Sequence, residues 1–535
     1  MYKRQSQRLW STNDGGLTWA NRSPDLTRAD PSTLGPSGGP ITGDMNGPEV
    51  YATIFAVGPG KRNANIIWTG SDDGLVHVTR DGGKTWTNVT PTLMPDFGRV
   101  SQIDASSFDD GTAYVSVRRP LLNDRAPYIF RTTDYGATWT KITSGIASDA
   151  YVHVVREDPT RRGLLYAGTQ RGVVMSYDDG ATWNDLSLNM PSTPVADLIV
   201  EANELVIGTH GRGFWILDNI GPLRQWTPSL NASATHLFTP PPALRSTNGA
   251  NISFTLARPA TRALLEVIDS TGAVLRSFSI DTTRGDSTAA AANAGGGRRG
   301  GRTSALPNRA GLNSFAWDLR TEPVVGFPGM ILWGAGLNGP TVPPARYTLR
   351  LTVDGQAMNA PLVVQRNPLI ADVSDADLHK QYEFGRMVRD KTTEANEAVI
   401  AIRRVKAQVA DRLSKSKDAA LARAAAELVR NASDVEQKIY QVKNQSGQDP
   451  LNYPIRVNNR LANLLSMSER GDGPPGTYMP EIFGILRDEL AGYQAELARV
   501  IQADLSAVNA QLSRLGLVPV NANCDKAEGC SAGTA

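Results

Sequence analysis

The chain has 535 residues, and its 55 lysines and arginines nearly balance its 53 aspartates and glutamates, which leaves a formal net charge of +2. This balance predicts no nucleic-acid or other polyanion partner. The length allows two to four domains, and no run of about 18 apolar residues is present, so we predict no membrane span.

The first part of the chain repeats the pattern Ser/Thr-x-Asp-x-Gly-x-Thr-Trp four times, with Asp-to-Asp spacings of 67, 53 and 44 residues. Such self-similarity predicts a repeat architecture whose length differences lie in loops. We expect the aspartate to accept backbone hydrogen bonds, the glycine to supply a positive φ, and the tryptophan to pack between sheets. The key residues are Asp14, Gly16 and Trp19; Asp81, Gly83 and Trp86; Asp134, Gly136 and Trp139; and Asp178, Gly180 and Trp183.

A second element, a Gly-polar-Gly turn between two apolar runs, occurs at 70–74, 168–172 and 208–213. We predict that each repeat forms a four-stranded antiparallel meander, in which the Gly-polar-Gly turn and the aspartate turn each connect two strands. Such a meander is the unit of a β-propeller blade. We therefore predict about four blades, around residues 50–90, 101–143, 149–187 and 195–218. Residues 1–5 match no repeat, and the turn at Asp14 has almost no chain before it. We expect the sequence to be the C-terminal portion of a longer protein.

The aspartate pattern resembles the Asp-box, or BNR repeat, of sialidase-like and sortilin-like β-propellers. The order of segments resembles bacterial exported proteins described as BNR-repeat or glycosyl hydrolase-like. The resemblance implies that the four boxes lie on outer turns, away from a central channel. The four aspartates are therefore expected to be structural rather than catalytic.

Beyond residue 219 the repeats stop, and the fold class is predicted to be multidomain. We predict a partial propeller over 1–219, an immunoglobulin-like β-sandwich over 220–368, a helical bundle or hairpin over 369–518 and a flexible tail over 519–535. A Gly/Arg-rich insert at 285–305 has the composition of a disordered loop. Apolar stripes over 375–413, 418–444, 452–468 and 477–512 predict four helices.

The chain has two cysteines, Cys524 and Cys530, in the polar tail. Their proximity favours a small disulfide loop in an oxidising compartment, and a metal site is the alternative left open. The five histidines have no metal-ligand spacing, so we predict no metal and no cofactor.

Candidate ligand residues are His210 and Arg212, in a turn that could border a channel. Asp72, Asp73, Asp109 and Asp110 are candidate acids or bases by residue type, but adjacent carboxylates beside glycines are typical of solvated turns. A glycosidase needs two carboxyls facing one pocket. The arginines at 80, 118, 119, 131, 171 and 212 share no evident blade position, and no catalytic residue is assigned.

Two functions of different classes fit this sequence. The first, which we favour, is a non-catalytic exported scaffold or recognition protein that binds a glycan or a protein. The alternative is a glycoside hydrolase acting on polysaccharide, with most of its carboxylates in missing N-terminal blades, as in two-propeller xyloglucan-degrading enzymes. An extracellular or periplasmic location is expected, and self-association through the helices is left open.

Overall fold

The computed structural model describes residues 2–5 (backbone only), 7–35, 51–227, 230, 235–245, 249–280 and 305–524. The chain forms two units, residues 1–226 and 227–535. The first is built from β sheets and the second from β sheets followed by long helices, which confirms the predicted order of β and α regions.

The first unit contains five antiparallel sheets, in which each strand is hydrogen-bonded to the next along the chain. The first sheet is β1 (Tyr2–Gln5), β2 (Arg8–Ser11) and β3 (Ala20–Asn21). The second is β4 (Ile54–Pro59), β5 (Ile67–Ser71), β6 (Val76–Thr79) and β7 (Thr87–Asn88). The third is β8 (Arg99–Ala105), β9 (Ala113–Arg119), β10 (Asp124–Thr132) and β11 (Thr140–Lys141).

The fourth sheet is β12 (Val152–Glu157), β13 (Leu165–Thr169), β14 (Val173–Ser176) and β15 (Asn184–Asp185). The fifth has three strands, β16 (Val195–Glu201), β17 (Glu204–Thr209) and β18 (Phe214–Leu217). A short helix, α1 (Gly221–Gln225), follows it. Residues 2–5, which match no sequence repeat, pair with β2.

Successive sheets of the first unit are held together by apolar side chains. Separate clusters join the first to the second sheet, the second to the third, the third to the fourth and the fourth to the fifth. No single sheet could bury both of its faces alone, so each repeat depends on its neighbours. Helix α1 belongs to this unit because Arg224 pairs with buried Asp158 and donates to the carbonyl of Ala202. The first unit therefore extends a few residues beyond the predicted boundary at 219.

The second unit begins with two sheets. The strands are β19 (His236–Leu237), β20 (Ala243–Leu244), β21 (Ala250–Leu256), β22 (Ala263–Ile268), β23 (Val274–Ser279), β24 (Gly311–Trp317), β25 (Ala345–Val353) and β26 (Gln356–Gln365). Their orders are β19-β21-β24 and β20-β26-β25-β22-β23. Both sheets contribute to one apolar core. Residues 281–304, which hold most of the predicted disordered insert, lie outside the described residues.

Four helices follow, α2 (Asp375–Ser414), α3 (Ala419–Ile439), α4 (Val457–Ser468) and α5 (Met479–Arg514). They pack around a common apolar cluster. Helix α3 ends at Ile439, earlier than predicted, because Tyr440 is extended and its hydroxyl accepts from the N–H of Ile331. Helix α4 starts at Val457, later than predicted, because the residue before it, Arg456, has extended backbone. Among the described residues, no helix is long and apolar enough to cross a bilayer.

The first residues of the predicted tail contact the helices. Val520 is buried, and its N–H donates to Asn509 on α5. Gln408 of α2 donates to the carbonyls of Asn521 and Cys524. Cys524 is disulfide-bonded. Its predicted partner, Cys530, lies outside the described residues, so this pairing stays a prediction.

Candidate functional site

The four repeated aspartate turns are each closed by their own hydrogen bonds. In the third copy, Asp134 accepts from the backbone N–H and the hydroxyl of Thr138, at 2.9 and 2.6 Å. The hydroxyl of Thr132 also donates to Asp134, at 2.8 Å. The Thr138 hydroxyl and N–H hold the pKa of Asp134 below its ordinary value. Asp14, Asp81 and Asp178 accept the equivalent bonds in their own turns.

The tryptophan of three turns is hydrogen-bonded to the preceding sheet. The indole N–H groups of Trp86, Trp139 and Trp183 donate to the carbonyls of Arg22, Val89 and Ile142, at 2.9, 2.7 and 2.8 Å. The indole of Trp19, in the first sheet, donates within its own turn to Gly16. The turns thus close a hairpin and connect it to its neighbour.

The first unit contains a cavity of about 1000 Å³, which is lined by side chains from its second to fifth sheets and from the neighbouring loops. None of the four repeated aspartates lines it. The lining residues are Thr33, Tyr51, Phe55, Asp72, Phe97, Arg99, Ser101, Arg118, Arg119, Pro120, Leu121, Leu122, Tyr151, His153, Gln170, Pro194, Ala196 and His210.

A β-bulge at the same place in four sheets directs one set of these residues toward the cavity. The pairing of the first and second strands of sheets two to five is interrupted after its first or second residue pair. A bulge leaves one extra residue unpaired and re-aims its side chain. The bulged residues are Phe55, Ser101, His153 and Ala196, and all four line the cavity.

The second set of lining residues follows the second strand of each sheet. Asp72, Gln170 and His210 come after Gly-Ser or Gly-Thr, and their N–H groups donate to the carbonyls of Thr53, Tyr151 and Pro194. Arg118 holds the equivalent register position, opposite Arg99. The other sheets hold Asp72, Gln170 and His210 here, so Arg118 shares this position with none of the other arginines at 80, 119, 131, 171 and 212.

Of the two predicted ligand residues, His210 and Arg212, one lines the cavity and the other does not. His210 lines the cavity, whereas Arg212, two residues later, is exposed and is not among the lining residues. The N–H of Arg212 donates to the hydroxyl of Thr209, which makes it part of the turn. A ligand role for either residue stays a prediction.

Two of the four candidate carboxylates are not solvated turn formers. Asp72 and Asp73 are 7 % and 1 % exposed, and each accepts hydrogen bonds from backbone N–H groups. Asp109 does behave as a turn former and accepts from the N–H of Gly111. Asp110 lies 3.6 Å from Arg62. Of these four only Asp72 lines the cavity.

A chain of side-chain hydrogen bonds crosses the cavity wall. Arg118 donates to Nδ1 of His153 at 2.9 Å, and Nε2 of His153 lies 3.2 Å from Oε1 of Gln170. Arginine has no acceptor, so Nδ1 must accept and the ring proton must sit on Nε2, facing Gln170. Burial lowers the pKa of His153, and the charge of Arg118 adds to that effect. His153 is therefore neutral near pH 7.

The described residues that line the cavity include three arginines, Arg99, Arg118 and Arg119, and one carboxylate, Asp72. Arg119 pairs with Asp124 at 3.3 Å, and Arg99 lies over the ring of Phe55. The carboxylate of Asp72 accepts from the N–H and hydroxyl of Thr53. Burial raises the pKa of Asp72 above its ordinary value. Among the described lining residues Asp72 is the one carboxylate, so no pair of carboxyls faces this cavity.

No group of three or more His, Cys, Asp or Glu suited to a metal ion occurs within the described part of the chain.

Comparison with known proteins gives limited similarity. No family model matches the chain. A xyloglucanase of Hypocrea jecorina (strain QM6a) is 24% identical over 243 residues, which cover 40% of this chain and 27% of that protein. The chain thus spans about a quarter of the length of this curated relative.

Solved structures give similarities of the same low order. The GH74 xyloglucanase from Xanthomonas campestris has a TM-score of 0.30 and 17% identity, over 67% of this chain and 56% of that chain. YCF48 from Cyanidioschyzon merolae has a TM-score of 0.25 and 17% identity, over 38% of this chain and 66% of that chain.

Proposed function

We propose that this protein is a non-catalytic recognition protein, in which a partial β-propeller of the Asp-box type presents the cavity as a ligand-binding site. The repeated four-stranded sheets, each with its own aspartate turn and inter-sheet tryptophan, support this architecture. Four sheets contribute equivalent residues to one cavity, an arrangement suited to binding a ligand in a preformed site. The two sheets of the second unit form an immunoglobulin-like sandwich in this proposal.

The observation that carries the proposal is that the described residues lining the cavity include one carboxylate, Asp72. Hydrolysis of a glycosidic bond by the usual route requires an acid and a second carboxylate that acts as base or nucleophile. Asp72 is the one carboxylate among the described lining residues, and both of its carboxylate oxygens accept hydrogen bonds from Thr53. Among the described residues, the cavity therefore offers groups for binding and no pair of carboxyls for hydrolysis.

The test compares ligand binding by the unaltered chain with binding by a variant whose cavity is blocked. The full chain is applied to an array of plant and bacterial glycans and peptides, alongside Ala196→Tyr, whose new ring would occupy the cavity. Glu201→Tyr is the matched control, because Glu201 is exposed on the same strand but does not line the cavity. We expect binding to be lost in Ala196→Tyr and kept in Glu201→Tyr. Equal binding by both variants, or no binding by the unaltered chain, would refute the proposal.

A glycoside hydrolase is the second candidate, and the similarity to a xyloglucanase favours it. In that case the chain would release reducing ends from xyloglucan, and Asp72→Asn would abolish the release if Asp72 were one of the two carboxyls. Xyloglucan that stays intact in the presence of the full chain counts against this candidate.

We also infer an extracellular or periplasmic location, which the disulfide-bonded state of Cys524 supports because disulfides persist in oxidising compartments. Fractionation of cells that make the natural protein tests this location. Recovery with the cytoplasmic fraction would contradict it.

A further inference from the structure

The third sheet places two arginines, Arg99 and Arg118, at paired strand positions where the other sheets hold residues other than arginine. Arg118 occupies the position held by Asp72, Gln170 and His210 in the second, fourth and fifth sheets. Its strand partner, Arg99, is equivalent to Tyr151 and Pro194, which also line the cavity. One wall of the cavity therefore carries two arginines side by side.

Neither of these arginines has a carboxylate within ion-pair distance among the described residues. This distinguishes them from the other charged groups around them, since Arg119 pairs with Asp124, Arg131 with Asp179 and Arg156 with Asp104 and Asp197. The cavity carboxylate, Asp72, is bonded to Thr53 instead.

Within the described part of the chain, the contacts of these arginines leave most of their N–H donors without an acceptor. Arg118 gives one bond to His153, and Arg99 stacks on Phe55. A guanidinium has five N–H donors in a planar fork that matches a carboxylate or a sulfate. Burial lowers the pKa of Arg118, and the positive charge of Arg99 adds to this effect, so the two guanidinium groups lie close enough to repel each other.

The remaining lining residues fit sugar rings. Tyr51, Phe55, Phe97 and Tyr151 provide aromatic surface, and the apolar faces of pyranose rings pack on such surfaces. Gln170 and His210 add planar polar groups that hydrogen-bond hydroxyls. The first strands of these sheets, β4, β8, β12 and β16, each stand at the edge of their sheet, so a peptide that adds to a strand edge is the competing ligand that the experiment must exclude.

We propose that the cavity binds an acidic segment of a polysaccharide, with a carboxylate or sulfate group of one sugar held by Arg99 and Arg118. This inference rests on the proposed recognition function and narrows its ligand. The near-neutral net charge of the chain does not oppose it, because an anion bound beside the two arginines responds mainly to the charges nearest to it.

The experiment measures the affinity of the full chain for three oligosaccharides of equal length, an oligogalacturonate, a heparin fragment and a neutral xyloglucan fragment, and for an acidic peptide of similar length. The first two distinguish carboxylate from sulfate as the anion. Arg118→Gln and Arg99→Gln are compared with Arg62→Gln, which removes the same charge from a half-exposed pair outside the cavity.

We expect at least one acidic oligosaccharide to bind at least 10-fold more tightly than the neutral one, with affinity that falls as salt is raised. Arg118→Gln and Arg99→Gln should each lose about 10-fold or more of this affinity, and Arg62→Gln should lose little. Gln at position 118 still offers a donor to His153, so loss of fold is not the expected cause, and circular dichroism checks it.

Tighter binding of the neutral oligosaccharide, or equal loss in Arg62→Gln, would overturn the inference while leaving the recognition function intact. Binding of acidic peptides but of no oligosaccharide would also overturn it. Absence of binding to all of these probes would overturn the inference, and the recognition function on which it rests would be refuted only if the full array of glycans and peptides also showed no binding.

Discussion

At the residue scale, the glycines of the aspartate turns are required for contact between sheets as well as for backbone conformation. A Cβ atom at Gly136 would lie 2.6 Å from Cβ of Val89, in the preceding sheet. At Gly180 it would lie 2.4 Å from Ile142. At Gly16, in the first sheet, the nearest atom is in Trp19 at 3.8 Å. Since all three have positive φ, the difference between them is packing alone.

Gly16→Ala and Gly136→Ala separate these two effects. Gly16→Ala should cost only the left-handed backbone penalty, about 1–2 kcal/mol. Gly136→Ala should cost about 1–3 kcal/mol more, because Val89 must move. Urea unfolding followed by tryptophan fluorescence measures both, since eight of the ten tryptophans lie in the first unit. Equal destabilisation by the two substitutions would contradict the packing argument.

His153 predicts an acid sensitivity of the first unit. Its pKa in the folded chain lies below the ordinary value of 6.5 because of burial, so the unfolded chain binds the proton first as the pH falls. The stability due to the neutral ring is fully present above about pH 6.5 and is lost as the pH falls toward the folded pKa.

His153→Gln tests this sensitivity, because a glutamine oxygen can still accept from Arg118 and does not titrate. From pH 7 to pH 5, the unaltered chain should lose more stability than His153→Gln in urea unfolding. His77, Asp72 and Glu157 also have shifted pKa values, but they are present in both proteins, so they do not contribute to the difference. Parallel pH profiles would contradict the assignment.

At the element scale, each four-stranded sheet of the first unit is joined to the sheet before it by a hydrogen bond. In the third sheet, the tryptophan at the end of the aspartate turn, Trp139, donates to the carbonyl of Val89 in the second sheet. Apolar side chains fill the space between these two sheets. Trp139 also packs edge-on against Trp68 of that sheet, with ring centroids 6.2 Å apart. The turn, the outgoing strand and the neighbouring sheet therefore stabilise one another.

Trp139→Phe should destabilise the first unit by about 1–3 kcal/mol, because it leaves the carbonyl of Val89 without its donor and reduces the inter-sheet contact. Trp215→Phe is the control, since the indole of Trp215 donates to Arg212 in its own exposed turn. We expect the control to change the thermal unfolding midpoint less than Trp139→Phe does. A larger effect of Trp215→Phe would show that the inter-sheet bond contributes little.

At the scale of the whole molecule, buried polar contacts join the sheets of the second unit to its helices. Arg245, which follows β20, is 1% exposed and donates to Gln381 on α2 at 2.8 Å. It also pairs with Asp472, in the loop between α4 and α5. Glu469 accepts from Thr341 and Arg320. The sequence divides this region into a sandwich and a helical domain, whereas the structure places both in one unit.

Arg245→Met should therefore weaken sheets and helices together. Removing one partner of a buried ion pair costs about 3–5 kcal/mol. Hydrogen exchange of the full chain should show reduced protection in β26 and in α2 alike. Arg350→Met, on the same sheet but half-exposed and paired with Glu266, should change protection little. Protection lost in β26 but kept in α2 would show that the two parts unfold separately.

The sequence by itself determined the repeated turns, the order of β and α regions and the four amphipathic helices, because these depend on local hydrogen bonding and on the spacing of apolar residues. It also named His210. It did not reveal Arg99, Arg118 or His153, and it placed Asp72 on a solvated turn. Tertiary structure decides these positions, since His153 reaches the cavity through a β-bulge and Arg99, Arg118 and Asp72 reach it through the register of strand pairing. Those features bring together residues that lie far apart in the chain.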